Sequence, residues 1–132
     1  MPTITQFEEL QIWQLARGLS KEIFEITSKE PFCKDFRFRD QIRAAEGSVM
    51  DNIAEGFERS GQFEFVNFLS IAKGSAGEVR SQIYRAFDCN YISQEKLDDL
   101  IGRYKNLSEQ IAGFIKYLNQ SPIKGQKFKD RT

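Results

Sequence analysis

The sequence predicts an all-α protein, an antiparallel up-down-up-down bundle of four helices. Three observations carry this expectation: apolar residues recur at steps of three and four through four long segments, the connections between them are short, and no segment alternates with period two over a convincing length. A chain of 132 residues is long enough to bury one core and short for two. The expected organisation is a bundle over residues 1–120 and a basic, flexible tail over 121–132.

The first helix is expected from near Thr5, where Thr5 and Glu8 have the spacing of a capping box. Ile12, Ala16, Leu19, Ile23 and Ile26 then form one stripe, with Trp13 and Phe24 beside it. Pro31 ends the helix, because the residue before a proline disfavours the α region. The second helix, over 39–60, is the segment around which the rest is organised. On a wheel of about 100° per residue, Phe38, Ile42, Ala45, Ile53 and Gly56 lie close to Val49. Gln41, Ser48, Asn52, Glu55 and Arg59 occupy one shoulder of that stripe, and Arg39, Arg43, Met50 and Phe57 the other. Ser60-Gly61 marks a stop and restart.

The third helix runs over 62–88, with Phe65, Phe68, Leu69, Ala72, Ala76, Val79, Ile83 and Ala86 on its apolar side. Gly74 and Gly77 each cost about 1 kcal/mol relative to alanine. That cost predicts close approach of a neighbouring backbone at these glycines. Ser75, Glu78 and Gln82 make a polar shoulder like that of helix two. The fourth helix starts at Ser93, with Ile92 and Leu97 placed as a hydrophobic staple. Leu97, Leu100, Tyr104, Leu107, Ile111, Phe114 and Leu118 carry it to about Asn119, and Ser121-Pro122 closes it.

Composition narrows the chemistry. Histidine is absent, which removes His-based acid/base catalysis, Ser-His-Asp and Cys-His nucleophiles and nearly all zinc sites. Cys33 and Cys89 have no CxxC spacing and read as small hydrophobes in a reducing compartment. Catalysis would have to rely on carboxylates alone, such as Asp51 with Glu55 or Asp98 with Asp99, and these read as solvated helix faces. No catalytic residue, cofactor or metal site is expected. No apolar run approaches a membrane span, and the N-terminal stretch lacks the pattern of a signal peptide, so the expected location is the cytoplasm.

The stretches FEELQIWQLAR, RDQIRAAEGSVMDNIAEGFERS and EFVNFLSIAKGSAGEVRSQIYRA closely resemble the bacterial four-helix-bundle family encoded by intervening sequences of large-subunit ribosomal RNA genes, often labelled ribosomal-protein-like. The resemblance covers about residues 7 to 118 and rests on Phe7 to Leu10 with Trp13, Gln41 to Arg43, Asn52 to Gly56 with Arg59, Phe68-Leu69 and Ala72 to Ser75. It implies a ring-like homopentamer with no established enzyme activity. The family is also similar in fold to the accessory variability proteins of diversity-generating retroelements, pentameric barrels that bind nucleic acid and a reverse transcriptase. Two departures stand out: Ala44 follows Arg43 where the family has an arginine-rich pair, and Glu46-Gly47 stands where it more often has a small apolar residue.

The expected function is therefore a non-enzymatic oligomeric scaffold binding RNA or DNA, with a protein–protein interaction module as the alternative. Lys34, Arg37, Arg39, Arg43, Lys73, Arg80, Arg85, Lys124, Lys127 and Lys129 are the candidate phosphate contacts. The competing reading makes them solvated partners of nearby acids, in keeping with 19 basic and 19 acidic residues in the chain. Ser48, Asn52, Glu55, Arg59, Ser75, Glu78 and Gln82 read either as ligand contacts or as a hydrogen-bond network that sets register between helices or subunits. Met50, Phe57, Val66 and Tyr84 lie off the main stripes and are expected to bury against a neighbouring subunit.

Overall fold

The computed structural model describes residues 3–59 and 61–120. Four helices, α1 (Gln11–Thr27), α2 (Phe36–Glu58), α3 (Gln62–Asp88) and α4 (Gln94–Gln120), follow one another, with short 3₁₀ turns at Phe7–Glu9 and Phe32–Lys34. Each packs on the next and α1 closes on α4, with the broadest contact between α2 and α3. Among the described residues there is no strand. This is the all-α, up-down-up-down bundle. No described helix is long and apolar enough to cross a membrane. The expected tail, with Lys124, Lys127 and Lys129, lies outside the described residues, as does Ser60.

Several boundaries differ from expectation for local reasons. Residues near Thr5 do not begin α1: Leu10 is extended (ψ 125°), so the chain makes a separate 3₁₀ turn first. Glu9, not Glu8, closes that turn, its carboxylate accepting from the backbone N–H of Thr5 at 2.9 Å and of Gln6 at 3.4 Å. At the other end α1 stops at Thr27, ahead of Pro31. There the hydroxyls of Thr27 and Ser28 donate back to the carbonyls of Ile23 and Phe24 at 2.7 Å each, competing with continuation of the helix. Helix α2 starts earlier than residue 39 because Asp35 caps it, accepting from the N–H of Phe38 at 3.4 Å. Ser93 does the same for α4, accepting from the N–H of Lys96 at 3.1 Å.

The α3–α4 turn carries a device absent from the sequence reading. Asn90 is left-handed (φ 63°), and the N–H groups of Asn90 and Tyr91 donate to the carbonyls of Phe87 and Ala86 at 2.9 Å each. These are the two bonds of a Schellman cap, with asparagine standing where glycine is commoner.

The predicted stripes form the core: Ile42, Val49 and Ile53 of α2 meet Leu69, Ala76, Val79 and Ile83 of α3, all fully buried, with Leu19 and Ile23 of α1 and Leu100, Leu107 and Ile111 of α4. Burial of each large side chain is worth about 1.5–3 kcal/mol. Two expectations fail here. Phe57 is 2% exposed within its own chain, against Phe65 at a ring separation of 6.0 Å, so it has no surface left for a neighbouring subunit. Gly74 and Gly77 meet nothing within 4 Å of an added Cβ; the close approach is at Gly56, whose Cβ would stand 2.6 Å from Phe68 Cβ and 2.9 Å from Phe65 Cδ1.

Candidate nucleic-acid interface

Phe36, Arg39 and Arg43 follow one another at steps of three and four, which aligns them along one flank of α2, the flank that faces α1. Arg43 reaches α1 directly. Its Nε donates to Thr27 Oγ1 at 2.7 Å and its Nη2 to Ser28 Oγ at 3.1 Å, which lays the guanidinium 4.4 Å from the Phe24 ring centre. Arg39 donates to Asp40 at 2.9 Å and to the Cys33 carbonyl at 3.2 Å, and its guanidinium lies 5.1 Å from the Phe36 ring. Phe24 and Phe36 are 61% and 62% exposed. The result is an outer face of two open aromatic rings, each with an arginine against it.

A rigid base holds this face. Phe32 stacks on Tyr91 at 4.7 Å and on Phe38 at 5.0 Å, while Tyr91 donates its hydroxyl to Asp35, the cap of α2, at 2.8 Å. That hydrogen bond to a carboxylate raises the Tyr91 pKa above its usual value. Arg85 covers Phe38 from α3 at 4.0 Å.

The structure thus brings together only part of the basic set. Lys34, Arg37, Arg39, Arg43 and Arg85 share one end of the bundle, where Lys34 is paired with Glu30 at 2.9 Å and Arg37 is exposed. Lys73 and Arg80 lie on the helical row of Gln62, whose side chain donates to the Leu118 carbonyl of α4, so they belong to a different side of the molecule. Phe24 was expected only beside the α1 stripe, and Phe36 fell ahead of the expected second helix, so neither was singled out; only the spacing of Phe36 to Arg39 and Arg43 carried a signal.

The polar shoulder resolves into three groups. Ser48 and Ser75 share a hydroxyl–hydroxyl bond of 2.8 Å across the α2–α3 seam, and Asn52 Nδ2 donates to the Ser48 carbonyl and hydroxyl at 2.7 and 3.0 Å. Glu55 pairs with Arg59 at 3.1 Å near the end of α2, and Glu78 accepts from Gln82 Nε2 at 3.3 Å within α3. Gln82 Oε1 is buried without a partner.

A carboxyl group deep inside the bundle lay outside the expected site residues. Glu46 of α2 is 1% exposed, and Tyr104 of α4 donates its hydroxyl to Glu46 Oε2. Burial pushes the Glu46 pKa up from 4.5 to about 8, against the opposing effect of the Tyr104 hydrogen bond. Burial, then the Glu46 charge, raises the Tyr104 phenol far above its ordinary value. Glu46 Oε1 is buried without a hydrogen-bond partner. The signal lay in the sequence as the departure from a small apolar residue at this place.

The carboxylates considered for catalysis, Asp51, Glu55, Asp98 and Asp99, are all exposed. Asp98 accepts from Gln94 at 2.9 Å and Asp99 from Arg103 at 3.4 Å. Among the described residues no cluster of three or more Cys, Asp or Glu could hold a metal ion. Both cysteines are free, Cys33 half-buried and Cys89 exposed, so Cys89 is not a buried hydrophobe.

The sequence matches the family described as 23S rRNA-intervening sequence protein over residues 8–113. Among solved structures, a protein of unknown function from the S23 ribosomal protein family of Bacteroides thetaiotaomicron VPI-5482 has a similar fold, with a TM-score of 0.73 and 20% identity, covering 80% of this chain and 95% of that one. No curated protein matches the chain at a significant level.

Proposed function

The chain belongs to the 23S rRNA-intervening sequence protein family, and from that premise we propose that it is a non-enzymatic, self-associating helical scaffold that binds RNA or DNA through the face shared by α1 and α2. The observation that carries this reading is the pair of open phenylalanine rings, Phe24 and Phe36, each with a guanidinium against it. An exposed ring offers a platform for an unpaired base, and the adjoining arginine offers charge for its phosphate. The chain has no net charge, so binding depends on this local concentration and on its repetition in an assembly of copies. The ring-like pentamer implied by the family resemblance would supply that repetition, in the cytoplasm.

Binding of single-stranded and duplex RNA to the full chain at two salt concentrations tests the proposal. Affinity for the single strand is expected to fall steeply with salt. Replacing Phe24 and Phe36 together by alanine is expected to weaken it by about 1–3 kcal/mol per stacked base. Salt-insensitive binding, or a double variant equal to the parent, overturns the reading. A protein–protein module without nucleic acid is the second reading, favoured by Phe63 and Ile71 of α3, 78% and 52% exposed and removed from the basic end.

A further inference from the structure

A cleft of about 180 Å³ lies between the end of α1 and the turn that leads into α4, lined by Ile26, Lys29, Tyr91, Ile92, Ser93 and Lys96. We propose that it binds a phosphomonoester, held by the Lys29 and Lys96 ammonium groups and the Ser93 hydroxyl. None of the six lining residues is acidic, in a chain whose basic and acidic residues balance at 19 each. Lys29 is exposed, and among the described residues its ammonium has no hydrogen bond or ion pair, so its flexible stem is free to turn into the cleft. Lys96 comes from the first turn of α4, with its ammonium drawn toward α1 by Glu22 at 3.2 Å. Glu22 also faces Arg103 at 3.8 Å, so one carboxylate is divided between two cations. Glu95 and Asp98 of the same helix are exposed and line no part of the cleft. Ser93 Oγ accepts from the Lys96 N–H at 3.1 Å and keeps its own proton to donate.

Two ammonium groups from different helices and one hydroxyl call for a ligand with more than a single charge and several acceptor oxygens. A phosphomonoester has three such oxygens and carries about −1.5 to −2 at neutral pH. Lysine binds phosphate as a point charge and demands no fixed fork geometry. Ile26, Ile92 and Tyr91, whose hydroxyl is committed to Asp35 at 2.8 Å, supply wall for the organic part. The volume is below the roughly 300–1,000 Å³ of pockets that enclose drug-sized ligands. The phosphate and the first carbons of its ester therefore enter, and the remainder of the molecule stays outside. Such an ester is either a small sugar or polyol phosphate or the phosphorylated end of a nucleic-acid strand. The cleft uses none of Phe24, Phe36, Arg39 and Arg43, so failure of RNA binding at that face leaves the inference untouched.

The test is amide NMR of the full chain at neutral pH, titrated with glycerol 3-phosphate, with a terminally phosphorylated tetranucleotide and with its unphosphorylated twin, against sodium acetate at matched ionic strength. Saturable shifts at Lys29, Ser93 and Lys96 are expected with a phosphomonoester and not with acetate. Lys29→Gln alters an exposed, unpaired side chain and is expected to fold as the parent does and to weaken this binding about tenfold. Lys116→Gln, an exposed lysine toward the other end of α4, is expected to leave it unchanged. Tighter binding of the phosphorylated strand than of its twin and of glycerol 3-phosphate assigns the cleft to a strand end; the reverse order assigns it to the small ester. Neither ester shifting these residues, acetate shifting them equally, or undiminished binding by Lys29→Gln each overturn the proposal. A loss in Lys116→Gln as large as that in Lys29→Gln does the same, because net charge alone would then be acting.

Discussion

Toward α3, helix α2 presents Gly56 and the hydroxyl of Ser48, and the two helices close to a distance at which an added Cβ would stand 2.6 Å from Phe68 Cβ. Toward α1 the same helix presents Arg43 and Glu46, and there the chain leaves a cleft of about 100 Å³. The first flank is held by shape, with small groups letting large ones approach. The second is held by long polar side chains that span a wider gap and reach partners on α1 and α4. Steric closeness fixes register and tolerates no added atom, whereas the looser flank can keep a buried carboxyl whose protonation depends on pH.

The steric flank breaks at Gly56. Gly56→Val puts a side chain against Phe68 and Phe65, and overpacking of this kind is expected to cost on the order of 3 kcal/mol. Urea unfolding checks it, and a loss under about 0.5 kcal/mol would mean the seam can spread.

The opposite flank is expected to respond to pH. Glu46 holds its proton up to about 8 in the bundle against 4.5 ordinarily, so the folded chain binds more protons between those values. Its stabilising contribution is complete below pH 4.5 and is lost as pH rises toward about 8. Glu46→Gln cannot titrate, so the difference in unfolding free energy between variant and parent is expected to grow in the variant's favour across that window, by up to a few kcal/mol, about 1.4 per pH unit. Parallel profiles would show that Glu46 titrates normally. The smallest effect is at Ser48→Ala, which removes the bond to Ser75 and one of the two made by Asn52; thermal unfolding is expected to register a loss of about 1 kcal/mol.

Legibility in the sequence followed the range of the physics. The bounds of α3 and the cap of α4 at Ser93 agree with expectation, because periodicity and capping are properties of a few neighbouring residues. The stripe through Val49 marked the core for the same reason. The start of α1 was misplaced because Thr5 and Glu8 also fit a local motif that Glu9 fulfils instead. Phe57 was sent to the surface because a wheel reports the angle of a side chain and not the reach of the helix beside it. The glycines were misread likewise: Gly56 needs the close approach, while Gly74 and Gly77 face open space.

Four helices, their stripes and most of their ends were determined by the order of residues alone, since each depends on contacts within a few turns of one chain segment. Which glycine is tight, which phenylalanines stay open beneath arginines, and that Glu46 is buried against Tyr104 inside the bundle were decided only by tertiary structure. Each depends on the distance between helices, and that distance is set by the sum of side chains on both partners and not by either segment's own pattern.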